Sequence, residues 1–469
     1  MYLKYFYNSS LAQASYMVAC QSTGAAAIID PARNIDAYIN LANEQGFHIS
    51  AAVETHIHAD FVSGVTELSR RTGATIFYST EGPNNGGYDW DDCLTVQGLR
   101  DQDIITIGNV QLKAIHTPGH TPEHMAYELT DKATANLPMG IFTGDFVFVG
   151  NVGRPDLLEK ALGVKDSADK GARQLFKSLQ RFKQYADYIQ IWPGHGAGSA
   201  CGKGLGSIPT STVGYERMYN PAFQFTEERP FVDFLLHGQP EPPAYFAKMK
   251  AINKRGMTPL ANVPAGVEFQ LQGDRIAELA KDKKNIVIDT RNAIDYANAS
   301  LPGTINLPYP GLFADWIGKL VDYESNIYFI AEPYRFDELR EIVISIGMDK
   351  LRGFFSTSLI QTASSLRSYQ NQSPTEIERR FQKNEVQILD VRYQDEWEEA
   401  RIPEAIHASL PHVKERLKEL STSKPIAVHC ASGKRSAIAA SILLNEGFEV
   451  INIRGGMQQW KNEDLGWTK

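Results

Sequence analysis

The chain has 469 residues, enough for about three domains, and its 43% hydrophobic and 22% charged content is ordinary for a globular protein with a large core. Its formal net charge of −8 argues against nucleic-acid or membrane partners, which favour basic surfaces. A membrane-spanning run and a signal peptide are not evident, and four scattered cysteines without a C-x-x-C pair are typical of a reducing compartment, so we expect a cytoplasmic protein.

Strand and helix patterns alternate from the first residues of the chain. Three strand-like runs within residues 2–30 precede a helical pattern of Ile35, Tyr38, Ile39 and Ala42, which Gly46 should end. Further along, Gly108-Asn109 between two apolar runs predicts a hairpin, and residues 175–182 repeat at helical spacing. Prolines at 240, 242, 243, 259 and 264 mark the end of this part, which predicts a first domain over 1–256.

The polar residues that could carry chemistry all follow predicted strands. The loop T-H-I-H-A-D-F-V-S-G (55–64) comes directly after the apolar run Ala51–Val53. Since an α/β domain gathers its ligands where strands end, these side chains are expected to converge at one edge of the sheet. The candidate residues are His56, His58, Asp60, His120 in T-P-G-H, Asp145 in F-T-G-D and His195 in P-G-H-G. Imidazoles and carboxylates in this grouping predict a metal site.

The spacing H-x-H-x-D, followed in this order by T-P-G-H, F-T-G-D and P-G-H-G, resembles the motif pattern of the metallo-β-lactamase fold. That resemblance implies an αββα sandwich. In members with two metals, the aspartate, a histidine directly after it and the P-G-H-G histidine hold the second ion, and the F-T-G-D aspartate bridges the two. Here Phe61 stands at the position of that directly following histidine. Phe61 has no lone pair to donate, so a dinuclear site is disfavoured, although Asp60 and His195 are present.

His56, His120 and Asp145 remain as a complete set of two imidazoles and one carboxylate, the donor set of non-haem Fe(II) oxygenases. The chain resembles the persulfide dioxygenases of the glyoxalase-II-like group, which implies one Fe(II) per chain on these three residues. The resemblance also implies that His58 and Asp60 surround the ion without binding it. His58, Asp60 and His195 are therefore expected either around this ion or as ligands of a second one.

The segment G-N-V-G-R-P-D (150–156) resembles a stretch of the same group in which an arginine helps hold the thiol carrier. Arg154 is accordingly a candidate substrate-binding residue, with a structural arginine as the competing interpretation. Cys201 follows P-G-H-G and could lie near the metal, but a plain buried cysteine is the preferred interpretation for Cys201, as it is for Cys20 and Cys93.

The remaining part of the chain contains an internal repeat of about 100 residues. I-V-I-D-T-R at 286–291 matches V-Q-I-L-D-V-R at 386–392, and L-P-G-T-I-N at 301–306 matches I-P-E-A-I-H at 402–407. Two small parallel-sheet α/β modules over 260–360 and 374–469 are therefore predicted, joined by the polar segment 369–373.

The second module carries the chemistry of a nucleophilic cysteine. In I-A-V-H-C-A-S-G-K-R-S (426–436) a buried strand ends at Cys430, and a loop then opens a helix. Loop N–H groups, together with Lys434 and Arg435, should favour a thiolate that can carry an extra sulfur atom as a persulfide. A phosphatase is the alternative for C-x-x-G-x-R, and a structural cysteine is the less favoured one. The whole module resembles the rhodanese sulfurtransferases, which implies that Cys430 is the catalytic residue and that Lys434 and Arg435 bind substrate.

The first module has no cysteine at the equivalent place, I-Y-F-I-A-E-P-Y-R (327–335), and is expected to be catalytically silent. All three modules in this order resemble bacterial fusions of a persulfide dioxygenase with rhodanese modules. The resemblance implies that a thiol persulfide is oxidised by O₂ to sulfite, that Cys430 transfers sulfane sulfur to sulfite to give thiosulfate (a sulfide detoxification), and that the protein is a homo-oligomer. The alternatives are a glyoxalase-II-like thioester hydrolase with an attached sulfurtransferase, and a plain sulfurtransferase with a partner-binding first domain.

Overall fold

The computed structural model of the protein describes residues 1–91, 93–199, 201–202, 204–239, 241–243, 245–311 and 313–469. Pro240, one of the prolines near the predicted boundary, lies outside the described residues. The chain forms two compact units, the first of residues 1–263 and 341–348, the second of residues 264–340 and 349–469. The division into two units does not test the predicted domain bounds, so the first domain over 1–256 and the two modules over 260–360 and 374–469 stay predictions.

Two sheets of six strands and a separate two-stranded hairpin build the described part of the first unit. Their strands in chain order are β1 (Tyr2–Asn8), β2 (Gln13–Ala19), β3 (Ala25–Ile29), β4 (His48–Val53), β5 (Thr75–Ser79), β6 (Val96–Leu99), β7 (Ile104–Ile107), β8 (Val110–His116), β9 (Met125–Asp131), β10 (Gly140–Gly144), the hairpin strands β11 (Val147–Phe148) and β12 (Asn151–Val152), β13 (Gln190–Pro193) and β14 (Ser211–Thr212). The first sheet has the order β1-β2-β3-β4-β5-β6 and the second β14-β13-β10-β9-β8-β7. The predicted hairpin is β7–β8, where Ile107 pairs with Val110.

Among the described residues, seven helices belong to this unit. They are α1 (Asp36–Gln45), α2 (Val65–Thr72), α3 (Leu157–Leu162), α4 (Ser167–Phe182), α5 (Val213–Tyr219), α6 (Glu228–Leu236) and α7 (Phe246–Arg255), with 3-10 turns at Asn85–Gly87, Pro221–Gln224 and Leu260–Asn262. α1 ends where the sequence predicts, because Gly46 takes a left-handed conformation with φ 70°.

Successive side chains of β2 point to opposite faces of the sheet and show how the layers are built. Tyr16 and Val18 face the core between the two sheets, which also contains Phe142 and Trp192 of the second sheet. Met17 and its neighbours on the opposite face pack against α1 and α2, and a third apolar layer joins the second sheet to α4 and α6. Both faces of each sheet are therefore covered, which is the predicted αββα sandwich.

The second unit contains two parallel five-stranded sheets with the same strand order. The strands are β15 (Val267–Glu268), β16 (Asn285–Asp289), β17 (Ile305–Asn306), β18 (Asn326–Ala331) and β19 (Leu351–Ser356), then β20 (Gln370–Gln372), β21 (Gln387–Asp390), β22 (Ile406–His407), β23 (Ile426–His429) and β24 (Val450–Ile453). Their orders are β15-β19-β18-β16-β17 and β20-β24-β23-β21-β22. Equal orders are what a duplicated module produces.

In the part of the chain that the structure describes, eight helices accompany these sheets, and the fourth contains residues of both units. They are α8 (Gly273–Leu279), α9 (Ala293–Asn298), α10 (Phe313–Leu320), α11 (Phe336–Ser345), α12 (Pro374–Gln382), α13 (Gln394–Glu399), α14 (Lys434–Asn445) and α15 (Gly456–Asn462), with 3-10 turns at Pro333–Arg335, Thr357–Thr362 and Leu410–Glu419. The fold class read from the sequence, an αββα sandwich followed by small parallel-sheet α/β modules, is confirmed.

No helix in the described part of the chain has the length and apolar character of a membrane span. The four cysteines are all free thiols, and the expected cytoplasmic location stays a prediction.

Candidate functional site

The loops that follow β4, β8 and β10 bring His56, His120 and Asp145 together. One ligand atom from each lies within 4.8 Å of the other two, and all three residues are buried. The Nε2 atoms of His56 and His120 lie 3.9 and 3.6 Å from Oδ2 of Asp145. The three residues that the sequence singled out therefore converge as one group, here called the HHD set.

Hydrogen bonds on the far side of each ring turn the Nε2 atoms toward this point. The Thr55 hydroxyl donates to Asp30 at 2.8 Å, so its oxygen accepts the Nδ1–H of His56 at 2.9 Å. Nδ1–H of His120 donates to the carbonyl of Arg154 at 2.9 Å. With the protons on Nδ1, both Nε2 atoms keep a lone pair for a ligand bond.

The HHD set has the properties of a cation site. Nε2 of His56 and Oδ2 of Asp145 are buried and have no hydrogen-bond partner among the described residues. Burial lowers the pKa of His56 well below its usual range and also lowers that of His120, so both rings are neutral, as metal ligands must be. Buried donors left unpaired are costly, and an ion bound by all three would satisfy them.

His195, after β13, is bound to two carboxylates. Its Nδ1 lies 2.8 Å from Oδ1 of Asp145, and its Nε2 lies 2.7 Å from Oδ2 of Asp60. Burial alone would lower the pKa of His195, but the charges of Asp145 and Asp60 outweigh it and raise that pKa to about 10. Phe61 is buried beside these groups, with its ring centroid 6.5 Å from that of His195, and offers no donor atom.

His58 points away from the HHD set. Its Nε2 lies 3.2 Å from Asp30 and 3.3 Å from Glu54. Burial opposes the charged form, yet the two carboxylates outweigh it and raise the pKa of His58 well above its ordinary value. An imidazolium held between Asp30 and Glu54 supports the loop beneath the HHD set.

Cys201 lies closer to the site than its preferred sequence interpretation suggested. It is buried, and its sulfur, a nitrogen of His195 and an oxygen of Asp60 lie within 4.8 Å of one another. Oδ1 of Asp60 has no hydrogen-bond partner in the described part of the chain. Burial, with the nearby carboxylates, raises the pKa of the Cys201 thiol well above its usual range.

His124 is a site residue that the sequence analysis did not single out. Its Nε2 accepts the backbone N–H of Asp145 at 3.1 Å, and its Nδ1 lies 2.8 Å from the hydroxyl of Thr117. Its ring is nearly parallel to that of His56, with centroids 5.1 Å apart. His124 therefore positions both an imidazole and the carboxylate of the HHD set. Its place at the end of T-P-G-H-T-P-E-H was the available signal.

Arg154 is buried and paired with Asp156. Its Nε and Nη2 donate to the two oxygens of that carboxylate at 2.8 and 2.7 Å, while its carbonyl holds His120. These contacts give Arg154 a role in holding the loop together. Its predicted contact with the thiol carrier stays a prediction.

A cavity of about 750 Å³ lies beside the HHD set, bounded by Ile57 and Gly119 from the loops of His56 and His120 and by Pro155, which follows β12. Its charged lining consists of Lys165, Lys170, Lys250 and Lys254 against Asp166 and Glu123. The excess of lysines makes this cavity, here called the lysine cavity, suited to an anionic ligand.

In the second unit, Cys430 is buried in the loop between β23 and α14. The N–H of Gly433 donates to its sulfur at 3.1 Å, and the hydroxyl of Ser436 lies 3.6 Å away. The carbonyl of Cys430 accepts the N–H of Met457 at 2.7 Å, which ties the loop to α15. Donors directed at the sulfur would suit an anion there, and the thiolate form of Cys430 stays a prediction.

Lys434 and Arg435 have different surroundings. Arg435 makes a bidentate pair with Glu396 at 2.5 and 2.7 Å, whereas the side chain of Lys434 is exposed. Substrate binding by these two residues stays a prediction. In the first repeat, β18 ends at Ala331, and the residues that follow directly, 332–335, include no cysteine.

Comparison with known proteins agrees with this architecture. The sequence profile of the metallo-beta-lactamase superfamily matches residues 10–195, and that of the rhodanese-like domain matches residues 373–463. The crystal structure of a metallo-beta-lactamase from Staphylococcus aureus subsp. aureus COL is 40% identical with a TM-score of 0.67, covering 76% of this chain and 99% of that one.

Two curated proteins are similar over shorter stretches. The hydroxyacylglutathione hydrolase of Rhodospirillum rubrum is 29% identical over 181 residues, which are 38% of this chain and 60% of that protein. The putative sulfur carrier protein YrkF of Bacillus subtilis is 43% identical over 74 residues, 16% of this chain and 40% of that protein.

Proposed function

Because the chain belongs to the metallo-β-lactamase superfamily and carries a rhodanese domain, we propose that it oxidises persulfides of low-molecular-weight thiols to sulfite and converts sulfite into thiosulfate. The first reaction consumes one persulfide, one O₂ and one water, and it yields the thiol, sulfite and two protons. The second transfers sulfane sulfur through Cys430. Both reactions act on the same kind of sulfur, which explains why the two domains share one chain.

The HHD set is the observation that carries the proposal. Two neutral imidazoles and one carboxylate face one point, and their ligand atoms lie within 4.8 Å of one another. An Fe(II) ion held by these residues would supply the activation of O₂, the chemistry for which this donor set is known. Hydrogen bonds that Thr55, His124 and the carbonyl of Arg154 accept hold the three metal-binding residues in place, and buried Phe61 keeps one side of the site apolar.

The lysine cavity supports an anionic thiol carrier as the substrate. Lys250 is 6% exposed, and burial lowers the pKa of its ammonium group. A carboxylate or phosphate of the carrier would compensate that buried charge and place the sulfur end toward the loops of the HHD set.

At the second site, the Cys430 thiolate attacks the terminal sulfur of a persulfide R–S–S⁻, the S–S bond breaks, and R–S⁻ leaves. The Cys430 persulfide then gives its outer sulfur to sulfite, which forms thiosulfate and restores the thiolate. The N–H of Gly433, 3.1 Å from this sulfur, would stabilise the thiolate that starts the cycle and that the last step restores.

Separation of the two activities tests this proposal. Oxygen uptake with glutathione persulfide is measured beside hydrolysis of S-lactoylglutathione and beside sulfur transfer from thiosulfate to a thiol. His120→Ala should abolish oxygen uptake and keep sulfur transfer, whereas Cys430→Ser should do the reverse. Retention of both activities by both variants contradicts the assignment, as does a wild type that hydrolyses the thioester but consumes no oxygen.

A second candidate function, metal-dependent thioester hydrolysis, is favoured by one specific observation. Asp60, His195 and Cys201 form another buried donor set next to Asp145, and Oδ1 of Asp60 lacks a partner among the described residues. Two metal ions would activate water for hydrolysis, and hydroxyacylglutathione hydrolase is a relative of this chain.

Metal content distinguishes the two candidates. After anaerobic purification, elemental analysis should find one iron per chain, and Cys201→Ser should leave that number unchanged. Two metals per chain, falling to one in Cys201→Ser, would support the hydrolase instead.

A further inference from the structure

The first repeat, which has no cysteine at the position of Cys430, supplies one wall of a cavity that ends on the Cys430 loop. The cavity, of about 1020 Å³, lies wholly within the second unit. Ile294, Leu307, Phe313 and Trp316 line it from the first repeat, while residues 432–435 line it from the second. The module without a nucleophilic cysteine therefore borders the site of the module that has one.

This wall is apolar and includes a side chain that folding leaves uncovered. Ile294, near the start of α9, is 67% exposed. Trp316 lies beside Tyr393 of the second repeat, with ring planes 14° apart and centroids separated by 6.5 Å. Aliphatic and aromatic surface that faces a cavity favours the carbon skeleton of an organic ligand.

The charges of the cavity favour an anion. Its two carboxylates are already paired, Asp315 with Lys319 at 2.8 Å and Glu396 with Arg435 at 2.5 Å. Lys434 and Arg454, in contrast, make no ion pair with any residue that the structure describes, and both are exposed. Positive charge therefore collects where the cavity meets the loop of Cys430.

We propose that the first repeat is the carrier-binding half of the sulfurtransferase site, and that the donor it receives is an organic thiol persulfide bearing a negative charge. The inference rests on the proposed function of Cys430. The apolar wall holds the carbon skeleton of the carrier, Lys434 and Arg454 attract its anionic group, and the terminal sulfur reaches Cys430. Cys430 takes that sulfur as the S–S bond of the donor breaks, and the carrier leaves as its thiolate.

Donor preference in full-length chains tests this assignment. His120→Ala is included throughout so that the first site does not consume the donor. The rate of Cys430 persulfidation, followed by rapid quench and mass spectrometry, is measured against glutathione persulfide and against thiosulfate. Ile294→Glu should raise the half-saturating concentration of glutathione persulfide about 10-fold, because apolar contact and charge complementarity are both lost. Thiosulfate has no carbon skeleton, so only the added charge acts on it, and its half-saturating concentration should rise by a clearly smaller factor.

Two matched variants control for charge and for size. Val267→Glu places the same charge on another exposed side chain of the first repeat, 57% exposed and outside the cavity, and should leave both donors unchanged. Ile294→Leu should restore the wild-type preference. Equal effects of Ile294→Glu on both donors, or no effect on either, overturn the inference while the proposed function stands. A wild type that transfers sulfur from neither donor overturns the proposed function, and this inference with it.

Discussion

The geometry of the HHD set depends on buried neighbours that do not themselves face the ion. His124 accepts the backbone N–H of Asp145 and stacks on His56, so it fixes one donor through the main chain and another through ring packing. Burial lowers the pKa of His124 well below its usual range, which keeps Nε2 free to accept that N–H.

Replacing His124 should therefore weaken metal binding. We expect His124→Ala to lower metal affinity about 10- to 100-fold, the usual effect of losing a group that orients a ligand. Competition with a chelator measures the affinity, and circular dichroism checks the fold. His48→Ala, at an exposed histidine, serves as control. Equal metal retention by the two variants would contradict a positioning role for His124.

The ion pair between Arg154 and Asp156 gives a second prediction at this scale. Both residues are buried, and Asp156 also pairs with Lys160 at 2.9 Å, so Asp156→Ala removes a buried carboxylate that binds two cations and should lower the free energy of unfolding by about 3 to 5 kcal/mol. Asp169→Ala breaks an exposed pair with Arg173 and should cost less than about 1 kcal/mol. Urea unfolding measures both, and equal losses would show that burial of the pair has no effect.

The pH dependence of this pair has a definite sign. Burial alone would raise the pKa of Asp156, but hydrogen bonds from Arg154 outweigh it and hold that pKa below its ordinary value of 3.8. A carboxylate with a depressed folded-state pKa stabilises the fold above pH 3.8 and loses that contribution as the pH falls through the lower value. The stability gap between wild type and Asp156→Ala should thus persist at neutral pH and shrink only below pH 3.8.

Sequence reasoning identified the HHD set because its members lie in recognisable local contexts. His124 escaped because its role is a hydrogen bond to a backbone group 21 residues away. The preferred interpretation of Cys201 as an ordinary buried cysteine omitted its proximity to Asp60 and His195, since residues 60 and 201 meet only through the folded sandwich. Contacts between distant segments leave no periodic or local pattern in the chain.

At the scale of elements, close packing of a helix against a loop positions His120. A Cβ added to Gly119 would lie 2.4 Å from Cβ of Leu175, in α4, and this glycine has φ 152°. α4 therefore packs directly against the T-P-G-H loop, which carries His120. The buried face of α4 is the one predicted from the spacing of Leu175, Phe176, Leu179 and Phe182.

Gly119→Ala should separate α4 from that loop. We expect a loss of about 1 to 3 kcal/mol in unfolding free energy from overpacking, together with reduced metal retention as His120 shifts. Gly163→Ala is the matched control, because Gly163 is also left-handed, with φ 68°, but an added Cβ meets no atom within 4 Å. Thermal unfolding and metal analysis of both variants distinguish steric displacement from backbone strain. Undiminished metal retention in a destabilised Gly119→Ala would contradict the link to His120.

Helices and strands with strong periodicity were predictable, whereas some tertiary contacts were not. Residues 341–348 continue the pattern of α11, yet they belong to the first unit, where the carbonyl of Ile344 accepts Nη1–H of Arg33 at 2.7 Å. A buried arginine that binds main-chain carbonyls has no periodic signature. The internal repeat, in contrast, could be read directly, because the D-x-R pair recurs with the same contacts: Asp289–Arg291 and Asp390–Arg392.

At the scale of the whole molecule, covalent linkage of the two sites should govern the fate of sulfite. Under the proposed function, sulfite made in the first unit is the acceptor for Cys430 in the second. A tether holds the second site at an effective concentration on the order of millimolar. Sulfite should therefore be captured by its own chain even when the enzyme is dilute.

A mixture of His120→Ala and Cys430→Ser chains removes this advantage while keeping both activities. With glutathione persulfide and O₂ at nanomolar enzyme, the wild type should form mainly thiosulfate, whereas the mixture, matched for each active site, should release mainly free sulfite. Raising the protein concentration should bring the mixture toward the wild-type ratio, since encounter between separate chains becomes frequent. Ion chromatography of sulfite and thiosulfate measures the ratio. Identical ratios at every enzyme concentration would mean that sulfite equilibrates with bulk solvent, and that the fusion serves another purpose than retaining it.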